Sequence, residues 1–156
     1  MTSFRVNPIP AATLDLVRRT GLDASANPVQ RMTVPDGETG WPLRCCLRDA
    51  APGEELILFG YEQEIGGPSP YRQIGAVFAH ERDCGGAVGD GYPAGWLGRP
   101  QAVRSYDERG WILESEVHDG VEPAKVIEAL LADPGAVRVH SHNLGHGCFM
   151  FEAVRD

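Results

Sequence analysis

WPLRCCLRDAAPGEELILFGY, residues 41–61, runs from an adjacent cysteine pair through a Pro-Gly turn into an apolar strand. Pro52 fixes one backbone dihedral and Gly53 tolerates positive φ, so the dipeptide sets a turn with a strand starting just after it. Leu56-Ile57-Leu58-Phe59 is a short continuous apolar run bounded by turn formers, the pattern of a strand buried on both faces or in the middle of a sheet. Before the turn, Arg44 and Arg48 flank Cys45-Cys46, and positive charge beside a thiol favours the thiolate. Cys46 therefore reads as a reactive or ligating sulfur. The alternative is that one or both cysteines are small buried hydrophobes at a loop-to-strand corner.

Outward from this stretch, the 156-residue chain has the length of one domain and can bury a core without staples. A single domain over residues 1–156 is expected. The net charge of −8 comes from 22 acidic and 14 basic residues, and no run concentrates the arginines. A nucleic-acid partner, which needs a basic patch, is therefore not expected; a small molecule or anion held by a local Arg cluster is compatible with the balance. Lys125 is the only lysine, which suggests a GC-rich bacterial genome. The N-terminus, MTSFRVNPIPAATLDL, lacks the basic segment, apolar core and cleavage site of a signal peptide, and no apolar run reaches the roughly 18 residues of a membrane span. The expected location is cytoplasmic, where the four cysteines would be reduced thiols.

Along the chain, Phe4-Arg5-Val6 reads as an opening strand and Ala11 to Thr20 as a helix closed by Gly21. Leu14 and Val17 share one helix face, with Asp15, Arg18 and Arg19 outward. Residues 22–40 are polar and turn-rich. Arg72 to His80 alternates as a second strand, with Ile74, Ala76, Phe78 and His80 on one face. Residues 85–98, GGAVGDGYPAGWLG, form a glycine-rich loop whose Trp96 and Tyr92 either plug it onto the core or cover a ligand, plugging being favoured. Val103 to Asp107 and Trp111 to His118 make a hairpin. Asp119 to Asp133 is a helix with Pro123 in its first turn and an apolar stripe of Val126, Ile127, Leu130 and Leu131. Ala136 to His142 and Cys148 to Val154 form a closing strand pair. Two separate helices among strands joined mainly by turns predict an α+β fold on a mixed or mostly antiparallel sheet.

The closing pair adds ligand-type residues. Alternation puts Arg138, His140 and His142 on one face, and Cys148, Met150 and Glu152 opposite Phe149 and Phe151. With His80 and Cys84, four residues apart, these assemble a possible cluster of Cys46, His80, Cys84, His140 and Cys148. Such soft and borderline ligands suit zinc or iron. No pair of Cys-x-x-Cys knuckles is present, so a metal site would draw on at least three separated segments.

Pro42-Leu43-Arg44-Cys45-Cys46-Leu47-Arg48-Asp49 followed by Pro52-Gly53-Glu54, then Gly75-Ala76-Val77-Phe78-Ala79-His80 with Cys84, and finally His140 with Gly147-Cys148-Phe149, resemble the bacterial family called domain of unknown function 1203. The resemblance covers Phe4 to Arg155 and implies a small single-domain bacterial protein with no assigned activity. Arg44, Cys46, His80, Cys84, His140 and Cys148 match the family pattern. Cys45 stands where a histidine is commoner, and His142 where an arginine is expected; the second exchange removes a permanent charge and a bidentate anion fork.

Three function classes follow. In the first, the cluster binds zinc or iron, with Cys46, His80, Cys84 and Cys148 as ligands. In the second, a thiol enzyme or redox sensor uses Cys46 as nucleophile, His140 as base and Arg44 to favour the thiolate or an anionic substrate. In the third, the Cys and His residues only pack a binding domain, and the glycine-rich loop with Trp96 meets the partner.

Overall fold

The computed structural model describes residues 2–156. In chain order its elements are β1 (Phe4–Asn7), α1 (Ala11–Thr20), β2 (Gln30–Thr33), β3 (Pro42–Leu43), β4 (Arg48–Asp49), β5 (Glu55–Glu62), β6 (Ile74–His80), β7 (Gln101–Tyr106), β8 (Ile112–His118), α2 (Pro123–Leu131), β9 (Arg138–Asn143) and β10 (Phe149–Arg155), with a 3-10 turn at Ala94–Trp96 before β7. The class is α+β, with two α-helices and mostly antiparallel pairing among the described residues. The strands divide between two five-stranded sheets rather than entering one. Contacts likewise divide the chain into unit 1 (Met1–Asn7, Gln63–Gln73 and Asp90–Asp156) and unit 2 (Pro8–Glu62 and Ile74–Gly89). None of the helices described is long and apolar enough to cross a membrane.

Unit 2 is built around the Pro-Gly turn. Its sheet runs β2-β5-β6-β3-β4, antiparallel except where β3 meets β6 in parallel at Leu43 and Phe78. The apolar run of β5 sits centrally between β2 and β6, and Leu56, Ile57 and Phe59 are buried. Gly53 takes φ +87, the left-handed conformation that the turn demands. α1 buries Leu14 and Val17 and ends where Gly21, at φ 69, returns its N–H to Val17 O. Arg18 does not simply face outward: its Nε and Nη2 each donate to the His80 carbonyl at 3.2 Å, fastening α1 to the end of β6. Within the turn-rich span, β2 is a strand that the sequence gives no reason to expect. Its QRMT carries no apolar alternation, and it forms by pairing its backbone with the edge of β5.

Unit 1 orders its sheet β1-β10-β9-β7-β8, antiparallel throughout. α2 lies against β7 to β10 and buries Pro123, Ile127, Leu130 and Leu131, while Val126 is half-buried. The helix is shorter than the pattern from Asp119 suggests. Glu122 is left-handed at φ 46, so the helical turns start only at Pro123. The register of β9 and β10 slips between Phe149 and Phe151, which turns Met150 into the core with both phenylalanines instead of out beside Cys148. Trp96 is fully buried, so that half of the glycine-rich loop plugs the core.

Candidate metal centre

The β3–β4 turn decides the site. In a strand, adjacent side chains point to opposite faces, which would send Cys45 and Cys46 apart. Residues 44–47 are instead a turn, with Leu47 N–H bonded to Leu43 O at 2.9 Å and Leu47 forced to φ 58. Both sulfurs then face the same space, 3.9 Å apart. β6 ends there and delivers His80, whose Nδ1 lies 3.5 Å from Cys45 Sγ and 3.8 Å from Cys46 Sγ. The loop after β6 adds Cys84. The ligand atoms of Cys45, Cys46, His80 and Cys84 all lie within 4.8 Å of one another.

Those separations have a chemical meaning. Metal-ligand bonds of about 2.3 Å to sulfur and 2.0–2.1 Å to nitrogen, set tetrahedrally, space two sulfurs by about 3.8 Å and a sulfur and nitrogen by about 3.5 Å. The pairs among Cys45, Cys46 and His80, at 3.9, 3.5 and 3.8 Å, are close to that spacing.

The far side of the imidazole is fixed as well. His80 Nε2 sits 2.6 Å from Glu54 Oε2. Arg48 grips the same carboxylate with two hydrogen bonds, 2.9 Å to Oε1 and 2.8 Å to Oε2, and Ala51 N–H donates to Oε1 at 2.6 Å. The Arg48 guanidinium, ahead of the Ala51 N–H and His80, holds the Glu54 carboxyl well below the usual carboxylate range. An ionised carboxylate only accepts, so His80 Nε2 carries the proton and donates. Arg48 Nη2, 3.4 Å from Nε2, therefore shares the Glu54 oxygen with the ring rather than bonding to it. With Nε2 turned to Glu54, Nδ1 is the ring nitrogen that faces the sulfurs.

Among the sulfurs the adjacent pair is pulled apart in pKa. A hydrogen bond from the Cys46 thiol lowers the Cys45 pKa, helped by the His80 backbone N–H 3.3 Å from Cys45 Sγ, while the same pairing and burial raise Cys46. Burial also raises Cys84. Cys45 is buried, Cys46 half-buried and Cys84 exposed. A pocket of about 260 Å³ adjoins the group, lined by Cys45 and Cys84 together with Pro8, Ile9, Leu14 and Arg18.

Of the ligands expected from sequence, Cys46, His80 and Cys84 belong to this group. The remaining sulfur in it is Cys45; Cys148 belongs to unit 1 and is not a member. Arg44 is buried and donates to Pro42 O at 2.6 Å, and the charge of Arg48 acts on Cys46. Glu54, the partner of His80, stands directly after the turn, where its sequence position alone does not mark it.

His140 also lies in unit 1, with its ring 1% exposed, Nε2 3.1 Å from Glu152 Oε2, and Tyr106 and Phe149 against its faces. Burial lowers its pKa in spite of Glu152. Below the unfolded value of about 6.5 the unfolded chain then takes up the proton first, so stability is full at neutral pH and falls as the pH drops. Urea unfolding should show a loss of up to about 1.4 kcal/mol per pH unit between pH 6.5 and the lowered folded value, and His140→Gln should flatten that slope.

The model of a family described as a protein of unknown function (DUF1203) matches residues 40–155. No curated protein and no solved structure matches the chain. The matched span contains all four members of the cluster together with Arg48 and Glu54, whereas α1 and its side of the pocket precede it.

Proposed function

For a chain that belongs to the DUF1203 family and takes no activity from it, we propose that unit 2 is a metal-binding module whose Cys45, Cys46, His80 and Cys84 hold a transition-metal ion, zinc before iron. The observation that carries the reading is the orientation of His80: Nδ1 toward two sulfurs and Nε2 donating to Glu54. A histidine that ligates a metal almost always donates its other ring N–H to a carboxylate, carbonyl or water. Three sulfurs and one nitrogen make a familiar structural zinc set, and iron takes thiolates equally well. With four protein ligands the ion would contribute folding energy to unit 2 by tying the β3–β4 turn to the end of β6 and to the loop after it.

Elemental analysis of untagged protein prepared without chelator tests this, with about one zinc or iron per chain as the expected value. Glu54→Gln keeps the shape but removes the anionic acceptor, and should weaken the metal affinity by about 10–100-fold in a chelator competition. No metal, with four free thiols, sinks the proposal. Metal-free thiol chemistry is the second reading, favoured by the two hydrogen bonds directed at Cys45. One thiol alkylating far faster than the others in metal-free folded protein would support it.

A further inference from the structure

The four ligands are unequal in access and in tether. Cys45 and Cys46 leave a turn pinned by Leu47 N–H, and His80 ends a strand paired on both sides. Cys84 alone is exposed. It sits on a loop rather than a ladder, and Gly85 and Gly86 follow at φ +83 and +85, with open space around each. Two such glycines let the chain beside Cys84 rotate at small cost. Cys84 and Cys45 both line the pocket beside the group, so a small polar molecule in that space lies next to both residues. A solvent-accessible sulfur with a second sulfur within 4.8 Å is the arrangement of an oxidation site with its resolving partner.

Resting on the metal reading above, we propose that Cys84 is the sulfur at which a hydroperoxide oxidises this centre, with Cys45 as the resolving sulfur. The Cys84 thiolate attacks the terminal peroxide oxygen. An S–O bond forms, the O–O bond breaks, and the alkoxide or hydroxide departs with the electron pair and takes a proton from water. The Cys45 thiolate then attacks the Cys84 sulfenic acid; an S–S bond forms, the S–O bond breaks, and hydroxide leaves and is protonated. The peroxide is reduced by two electrons and the two sulfurs are oxidised by one each. A disulfide between Cys45 and Cys84 leaves the ion only Cys46 and His80, and it is released. The vicinal alternative, Cys45 to Cys46, would strain an already tight turn, whereas Cys84 moves on its glycine loop.

The test uses the full-length chain with its measured metal content, treated with one equivalent of hydrogen peroxide in the presence of a chromogenic zinc indicator. Thiols are then trapped and the disulfides mapped by mass spectrometry. About one zinc should appear per disulfide formed, Cys45 and Cys84 should be linked, and Cys46 and Cys148 should be recovered as trapped thiols. Retained zinc with Cys84 trapped as a thiol overturns the proposal, as does a disulfide through Cys148 or one confined to Cys45 and Cys46. Protein that carries no metal from the start, yet still links Cys45 to Cys84, refutes the metal reading while supporting the sulfur chemistry.

Discussion

Replacing His80 by alanine should take the zinc content from about one ion per chain to below roughly a tenth of that, a larger loss than the 10–100-fold of a partner one bond further out. The substitution is well suited to isolating the metal, because much of what His80 does for the fold belongs to its backbone. Its N–H still meets Cys45 Sγ at 3.3 Å, and its carbonyl still accepts both hydrogen bonds from Arg18. Glu54 keeps Arg48 and the Ala51 N–H, so no buried carboxylate is stranded. Without zinc, parent and variant should therefore unfold within about 1–2 kcal/mol of each other. With zinc at a hundred times its dissociation constant, the parent alone should gain about 2.7 kcal/mol. Equal zinc in both chains, or a parent whose melting ignores zinc, would remove the basis for the centre.

Local signals in the sequence carried most of the fold. Gly21 and Pro123 set a helix end and a helix start where backbone geometry requires them, and Pro52-Gly53 placed β5 correctly. What the sequence hid was long-range or conformational. β2 exists through its partner's edge, and its own residues offer no apolar alternation to reveal it. The start of α2 depended on the left-handed Glu122, a conformation that no residue type announces. Met150 turned inward because of a bulge, and a bulge moves a side chain to the other face without altering the pattern of residues that predicts it.

The site divides the same way. His80 and Cys84 could be paired on sequence because they are four residues apart, and Cys46 was singled out by its arginine neighbours. Cys45 joins the group because the turn at residues 44–47, with Leu47 at φ 58, brings together two sulfurs that an extended chain would send apart. The two flanking arginines also part company in the fold. Arg44 and Arg48 look equivalent around the cysteine pair, yet the chain turns Arg44 back on the Pro42 carbonyl and leaves Arg48 to Glu54. Choosing Cys148 over Cys45 required knowing which separated strands share a unit, and periodicity within strands contains no such information.

The Trp96→Ala chain should lose roughly 3–5 kcal/mol of unfolding free energy, with the upper end favoured by how little its surroundings can close in. Trp96 is 0% exposed and stacks on Phe151 at 6.3 Å, and Tyr92 meets the same Phe151 edge-on at 5.5 Å. The chain around it is held from both ends: Trp96 N–H donates to Pro93 O, Arg99 N–H to Trp96 O, and Gly98 N–H to Gly120 O. Gly120 already lies so close that an added Cβ would come within 2.5 Å of Arg99 N and of the Gly98 carbonyl carbon. A turn pinned that tightly cannot sink into the space a missing indole leaves, and an unfilled cavity is what raises the penalty above the transfer cost of the ring. Against a total stability on the order of 5–15 kcal/mol, the urea midpoint should fall by about a fifth or more. Val88, fully exposed in the same glycine-rich loop, should tolerate Val88→Ser within about 0.5 kcal/mol. A loop that worked as a mobile cover would give the reverse, with little stability lost on removing Trp96; a shift below about 1 kcal/mol would therefore reject the plug.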